Sequence, residues 1–320
     1  MRACGYIMGA ALLALTNPAM ALTFKSGQTI SGGDANVPPI TTELMAACEP
    51  ANLTPHPTDT MQALSFNIRY DSGDTGHNGW ATRAPKVASI FAKYNVDFGG
   101  LQEVLHHQLD WLEENLPAYH FVGVGRDDGV EAGEYAPIFF RKDMFELIET
   151  DTIWLSETPT EAGSKGWDAA LPRIATFAIL RHMPSGEVML LGSAHYDHRG
   201  TQARQNSGKV IQDYITAQRA TYDMPLRVLV GDFNDIPNSA TTNAIERHNC
   251  LFDSRRMAAE SEGPNSTWNG FRSIEAYRRI DYIFMNPALP VASHIIDDKR
   301  IKGGYPSDHL PVITIMSAPQ

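Results

Sequence analysis

Apolar residues at 64, 66, 68 and 70 alternate with Ser65, Asn67 and Arg69, and this period of two predicts a half-buried strand. Directly beyond it the period changes: Ala84, Val87, Ile90 and Phe91 fall on one side of a helix over 83–94. The same exchange of periods runs to the end of the chain. A strand leads to Glu103, a helix follows over 109–116, and strand-like runs come at 121–124, 138–141 and 145–155. Further strands are expected at 174–180, 188–194, 227–230, 280–284 and 312–316, with helices at 201–218 and 241–247. Each sheet face and each helix stripe has to be buried against another element, so this mixture predicts sheets packed under helical cover in one α/β domain.

Apolar residues make up 43% of the 320-residue chain, enough for a substantial core, and a folded protein is expected. Residues 1–21 read as a signal peptide: Arg2, an apolar run over 6–15, then Asn17-Pro18 and the small-residue site Ala19-Met20-Ala21. No later run is long enough to span a bilayer, so the expected destination is the periplasm or the medium. Residues 22–60, rich in Gly, Pro, Thr and Ser without a sustained period, read as a lead-in, and a monomeric domain is expected over 61–320. With Cys4 lost in the signal, Cys48 and Cys250 remain. An oxidising compartment would allow them to bond, and two unpaired thiols fit the sequence equally well.

Several apolar runs end in compact polar clusters: Ser65-Phe66-Asn67, Leu101-Gln102-Glu103, Ala194-His195-Tyr196-Asp197-His198, Gly231-Asp232-Phe233-Asn234 and Ser307-Asp308-His309. A strand ending in Asp or Asn is far more often a turn or a helix cap than a catalyst, so no single cluster decides anything. Asp281 differs, because Arg279-Ile280-Asp281-Tyr282-Ile283-Phe284 sets a carboxylate in an otherwise apolar strand. An unpaired buried charge is costly, so either this strand is an edge with Asp281 in solvent or a partner is held nearby, and His309 is chemically suited.

In this order the motifs SFN, LQE, SAHYDH, GDFN, RIDYIF and SDHLPV resemble the endonuclease/exonuclease/phosphatase superfamily over about residues 61–315. The stretches GEYAPIFFRK, WLSETP and GSKGWDAALPRI are similar to its exported, mostly uncharacterised members. The resemblance implies a four-layer α/β sandwich, with two mixed, mainly antiparallel sheets face to face, helices outside and the active site at one end. It makes Glu103, Asn67 and Asp308 the site of a magnesium or manganese ion, a hard cation suited to oxygen ligands. It gives Asp232 and Asn234 the task of positioning and deprotonating the attacking water, and assigns His195 and His309, oriented by Asp281, to the phosphoryl oxygens. Tyr135 and Arg173 are candidates for phosphate contact, and Trp154 and Trp167 for an apolar wall; core packing and a surface ion pair are their plain alternatives. One position departs from a common pattern of the superfamily, since Arg69 stands where many nucleases carry an acidic residue, which leaves a second metal open.

The net charge of −11 bears on the substrate, because an acidic surface repels a polyanion unless a basic groove overrides it. A phosphorylated small-molecule or lipid-like substrate is therefore expected for a metal-dependent phosphoric ester hydrolase. A nuclease, including a deadenylase-like exonuclease, is the second reading, and a binding module that has lost its chemistry is the third. The intact polar series argues against the last.

Overall fold

The computed structural model describes Cys48 and residues 53–320; the expected signal peptide and most of the lead-in lie outside the described residues. In chain order the elements are β1 (Pro55–Asn67), α1 (Trp80–Tyr94), β2 (Phe98–Gln102), α2 (His106–Asn115), β3 (Tyr119–Val122), β4 (Ile138–Arg141), β5 (Phe145–Trp154), β6 (Ile174–His182) and β7 (Val188–His195). They continue with α3 (Thr201–Arg219), β8 (Leu226–Asp232), α4 (Ala240–Asn249), β9 (Phe252–Asp253), α5 (Ser254–Met257), β10 (Glu260–Glu262), β11 (Asp281–Met285), β12 (Val291–Ile296) and β13 (Val312–Pro319). The first strand thus begins at Pro55, inside the expected lead-in. Four elements were not foreshadowed by periodicity: β9, β10 and α5, where two to four residues are too few to show one, and the six-residue β12, whose Val-Ala-Ser-His-Ile-Ile has no clean alternation.

The strands form a seven-stranded sheet in the order β10-β12-β13-β1-β2-β4-β3 and a six-stranded sheet in the order β5-β6-β7-β8-β11-β9. Most neighbours are antiparallel; β1–β2, β10–β12 and β7–β8 are parallel. Met61, Ala63, Phe98, Ile138 and Phe140 of the first sheet meet Ala178, Leu191, Val228, Val230 and Ile283 of the second in one core. On the outer face of the first sheet, Leu64, Phe66 and Leu101 pack under Val87, Ile90 and Phe91 of α1 and Leu112 of α2. Phe177, Leu229, Tyr282 and Phe284 of the second sheet pack under Ile211 of α3 and Ile245 of α4. The result is the expected four-layer α/β sandwich.

One expectation needs correction. The first strand is not half-buried: every residue from Ala63 to Asn67 is buried. The strand is central in its sheet, with helices on one face and the second sheet on the other, so its polar residues point inward as well. Ser65 shows how this is tolerated, since its hydroxyl accepts from the Gly231 amide of the facing sheet at 3.0 Å. Here the two sheets approach closely, and a Cβ at Gly100 would stand 2.4 Å from the Ser193 hydroxyl oxygen.

Cys48 and Cys250 are bonded, tying the segment before β1 to the end of α4 across a sequence separation of 202. Closing so long a loop restricts the unfolded chain, and Cys250→Ser is expected to lower stability by about 2–4 kcal/mol. A urea denaturation midpoint unchanged from that of the parent would contradict this.

Candidate active site

The period of two that builds the inner core also builds the site. On β8, Val228 and Val230 point between the sheets, so Asp232 does too; on β11, Ile283 and Met285 carry Asp281 to the same side, and on β7, Met189 and Leu191 carry His195. Register completes the arrangement, pairing Asp232 with His195 on one side and with Asp281 on the other. In the facing sheet Asn67 lies beside Gln102 at the ends of two parallel strands, with Glu103 one residue further. Asp308 and His309 arrive from the loop that enters β13.

Asp232 is the hub. Its Oδ2 accepts from the Asn67 amide at 3.1 Å and lies 3.7 Å from both His195 Nε2 and His309 Nε2, while its Oδ1 accepts from the Asn234 backbone amide at 2.9 Å. Burial raises its pKa, the Asp281 charge raises it further, and His309 opposes both, leaving it at about 7. His309 Nδ1 contacts the two Asp281 oxygens at 2.8 and 3.0 Å. Burial pushes His309 down, but Asp281 and Asp232 outweigh it and raise its pKa to about 10, so this imidazole is a cation near neutral pH. Asp281 is no edge residue: it is fully buried, and the Thr267 hydroxyl accepts from its backbone amide at 3.1 Å. The Trp268 ring meets the His309 ring edge-on at 4.8 Å, a neighbour that no spacing in the sequence announced.

Opposite this anionic side stands a cationic wall. Arg173, 5% exposed, places Nη1 2.9 Å from His195 Nε2 and 3.0 Å from Nδ1, Nη2 2.8 Å from His198 Nδ1, and Nε 3.4 Å from Asp197. Burial and the Arg173 charge push both histidines down, His195 strongly, so they are neutral beside a guanidinium. Burial raises the Asp197 pKa, but backbone N–H groups of Gly200, Arg199 and Ala170 hold it well below the usual carboxylate range, so it is a fixed anchor. Arg173 is therefore buried against His195, His198 and Asp197 rather than half of a surface ion pair.

Tyr135 does not join the site. Its hydroxyl donates to the Val130 carbonyl at 2.9 Å and meets His106 Nδ1 at 3.0 Å, and its ring packs in the outer core. The preceding residue, Glu134, takes the inward place: it binds Arg126 through both oxygens at 2.7 and 2.8 Å and lies 3.6 Å from His195 Nδ1. Both were missed, although the alternation of Glu134 with Tyr135 could have flagged the former. Trp154 belongs to core packing, with its indole N–H donating to the Arg126 carbonyl at 2.7 Å.

Glu103, one residue past β2, brings a carboxylate oxygen within 4.8 Å of an Asp232 oxygen, and Asp308 stands in the loop before β13. Glu103 and Asn234 both have a left-handed backbone, at φ 59° and 50°, a conformation that side chains adopt at a cost and that recurs at functional sites. Asn67 turns its amide nitrogen to Glu103 Oε1 and Asp232 Oδ2, 3.1 Å from each, and its oxygen to the Arg69 backbone N–H. It thus tethers the two carboxylates. Asn234 spends one amide hydrogen on the Tyr196 carbonyl, leaving its second. Arg69 bridges the remaining acids, 3.6 Å from Glu103 and 3.8 Å from Asp308.

Glu103, His195 and Asp232 bring potential ligand atoms within 4.8 Å of one another, as do Asp232, Asp281 and His309. Burial raises the pKa of Asp308 as well as of Asp232, and the charge of Glu103 raises each further. Several carboxylates crowded out of water are an environment that a hard divalent cation relieves, and the oxygen-rich set fits magnesium or manganese.

These strands, motifs and geometry define a phosphoesterase of the four-layer sandwich type: the chain matches the endonuclease/exonuclease/phosphatase family over residues 64–309 and belongs to it. An endonuclease/exonuclease/phosphatase from Bacteroides vulgatus is 34% identical, with a TM-score of 0.77 over 82% of this chain and 100% of that one. A mannosyl-6-phosphatase from Bacteroides thetaiotaomicron is 32% identical, with a TM-score of 0.75 over 81% of this chain and 100% of that one. The human Nocturnin catalytic domain with bound sulfate shares the fold at 20% identity, with a TM-score of 0.65 over 83% of this chain and 96% of that one. No curated protein matches the sequence significantly.

Proposed function

We propose that this protein is an exported, divalent-metal-dependent phosphomonoesterase acting on a small polar phosphate ester, with sugar phosphates the first class to test. One observation carries the reading: the Asp232 carboxylate lies 3.7 Å from both histidine Nε2 atoms, with the His309–Asp281 pair on one side and His195, backed by Arg173, on the other. Such a constellation can accept a proton from water and hold phosphoryl oxygens at the same time. The similarity to a mannosyl-6-phosphatase along that protein's entire length supports a monoester of a sugar. The net charge of −11 disfavours a long nucleic acid.

In this reading Asp232, oriented by the Asn234 amide, removes the proton of the attacking water. Cationic His309 and the Arg173-backed His195 take the charge that grows on the phosphoryl oxygens, and the second amide hydrogen of Asn234 reaches the same group. Glu103 and Asp308 would hold the magnesium or manganese ion, with Asn67 fixing Glu103. When bound, the cation offsets phosphoryl charge during displacement.

The test is hydrolysis of mannose 6-phosphate, glucose 6-phosphate, bis-nitrophenyl phosphate, a phosphoinositide and poly(A) by the purified protein, with manganese or magnesium and then with chelator. Release of phosphate from a sugar monoester, abolished by chelator and restored by metal, is the expected result. Turnover confined to poly(A) would replace this reading with the nuclease. Activity indifferent to chelator would remove the metal.

The route outward is part of the proposal. The signal-like start of the sequence and the Cys48–Cys250 bond both suit an oxidising compartment, and among the described residues no helix is long and apolar enough to cross a membrane.

A further inference from the structure

Arg83 lies on α1 with 1% of its surface exposed, and among the described residues no carboxylate bonds it. Its donors go to backbone carbonyls: Nε to Asn78 at 2.7 Å, Nη1 to Ile68 at 2.5 Å and Pro306 at 3.3 Å, and Nη2 to Arg69 at 3.0 Å. Those carbonyls belong to the exit of β1 just after Asn67, the turn before α1, and the loop that runs into Ser307-Asp308-His309. The rings of Trp80 and Phe271 stand 5.5 Å from the guanidinium carbon and close the space around it.

Burying a cation against neutral carbonyls is costly unless its geometry does something a cheaper residue cannot. Burial lowers the Arg83 pKa to about 10, and Asp308 is the strongest charge working the other way. Only a planar fork of donors spans three backbone segments at once; the ammonium of lysine is a point.

We propose that Arg83 is a positioning residue for the metal-binding cluster, bridging the carbonyls of Ile68, Arg69 and Pro306 so as to set the spacing between the segment bearing Asn67 and the segment bearing Asp308 and His309. It acts through the two backbones and touches no reacting group. The inference rests on the metal-dependent reading of the site above.

Calorimetric titration of Mn²⁺ into the parent, Arg83→Lys and Arg83→Gln separates the outcomes. Both variants are expected to bind Mn²⁺ about 10–100-fold more weakly, as is typical when support behind metal ligands is lost. Their kcat should fall at limiting Mn²⁺ and recover at high Mn²⁺, with KM for the phosphate ester unchanged. A lowered melting temperature with Mn²⁺ affinity equal to the parent's would overturn the proposal, because a merely structural role predicts that result. Should neither variant fold, hydrogen exchange of the parent decides: added Mn²⁺ is expected to protect the peptides over 68–78 and 301–309 together, and protection of only one overturns the bridge. A parent that binds no Mn²⁺ removes the metal-dependent reading itself, and the inference with it.

Discussion

Replacing Asp232 with Asn is expected to lower kcat by about 10²–10⁴-fold, the usual contribution of a positioned general base, with little change in KM. The amide keeps the shape, but its single oxygen can accept from only one of the Asn67 amide and the Asn234 N–H, and it cannot accept a proton from water. The environment makes the carboxylate suitable, since a pKa held at about 7 by burial and by Asp281 gives a base matched to neutral water chemistry. Steady-state kinetics on the best substrate of the panel, with circular dichroism to confirm folding, provide the check. A variant within a few-fold of the parent would move the base elsewhere, and Glu134, an inward carboxylate 3.6 Å from His195, would be the next to replace.

Replacing His309 with Ala should cost about 10²–10³-fold in kcat, the scale on which removal of one preorganised donor to a charged transition state is felt. It should also change the pH dependence of stability. The folded pKa of His309, about 10, lies above its ordinary 6.5, so its contribution is fully present below pH 6.5 and is lost as pH rises through about 10. Asp232 works over a lower window. Its folded pKa is raised from 3.8 to about 7, so protonation of this buried acid stabilises the fold fully below pH 3.8, and that contribution is lost as pH approaches 7. Thermal melts between pH 7 and 10.5 should therefore show an alkaline decline in the parent that is reduced in His309→Ala. An unaltered alkaline profile would mean that His309 does not titrate as its geometry implies.

Much of the site could be read from strand ends. Asn67, Glu103, His195 and Asp232 each follow or close an apolar run, the Asp308-His309 pair leads into one, and all six come together in space. Asp281 was legible for another reason, as a carboxylate in an apolar strand that required a partner, and it has one in His309 at 2.8 Å. Arg173 was picked out from a stretch resembling other members of the family, and it lies buried beside His195. Tyr135 came from the same reasoning and lies elsewhere, because in extended backbone one step along the chain reverses the face and brings Glu134 inward instead. Trp268, Arg126 and Arg83 had no local signal at all. Their partners are a ring, a carboxylate and a set of backbone carbonyls supplied by other parts of the fold.

Sequence alone determined the order of most strands and helices, because hydrophobic period is a local property of the chain, and it determined which polar residues sit at strand ends. Tertiary structure decided which way those residues face. A polar residue in a central strand obeys the same alternation whether it meets water or a second sheet, so the inward burial of Ser65 and Asn67 depends on the packing of two sheets. The contact between Asn67 and Asp232 crosses 165 residues, and the bond between Cys48 and Cys250 crosses 202. Contacts at such separations are selected by the closing of the whole sandwich, and no local pattern encodes them.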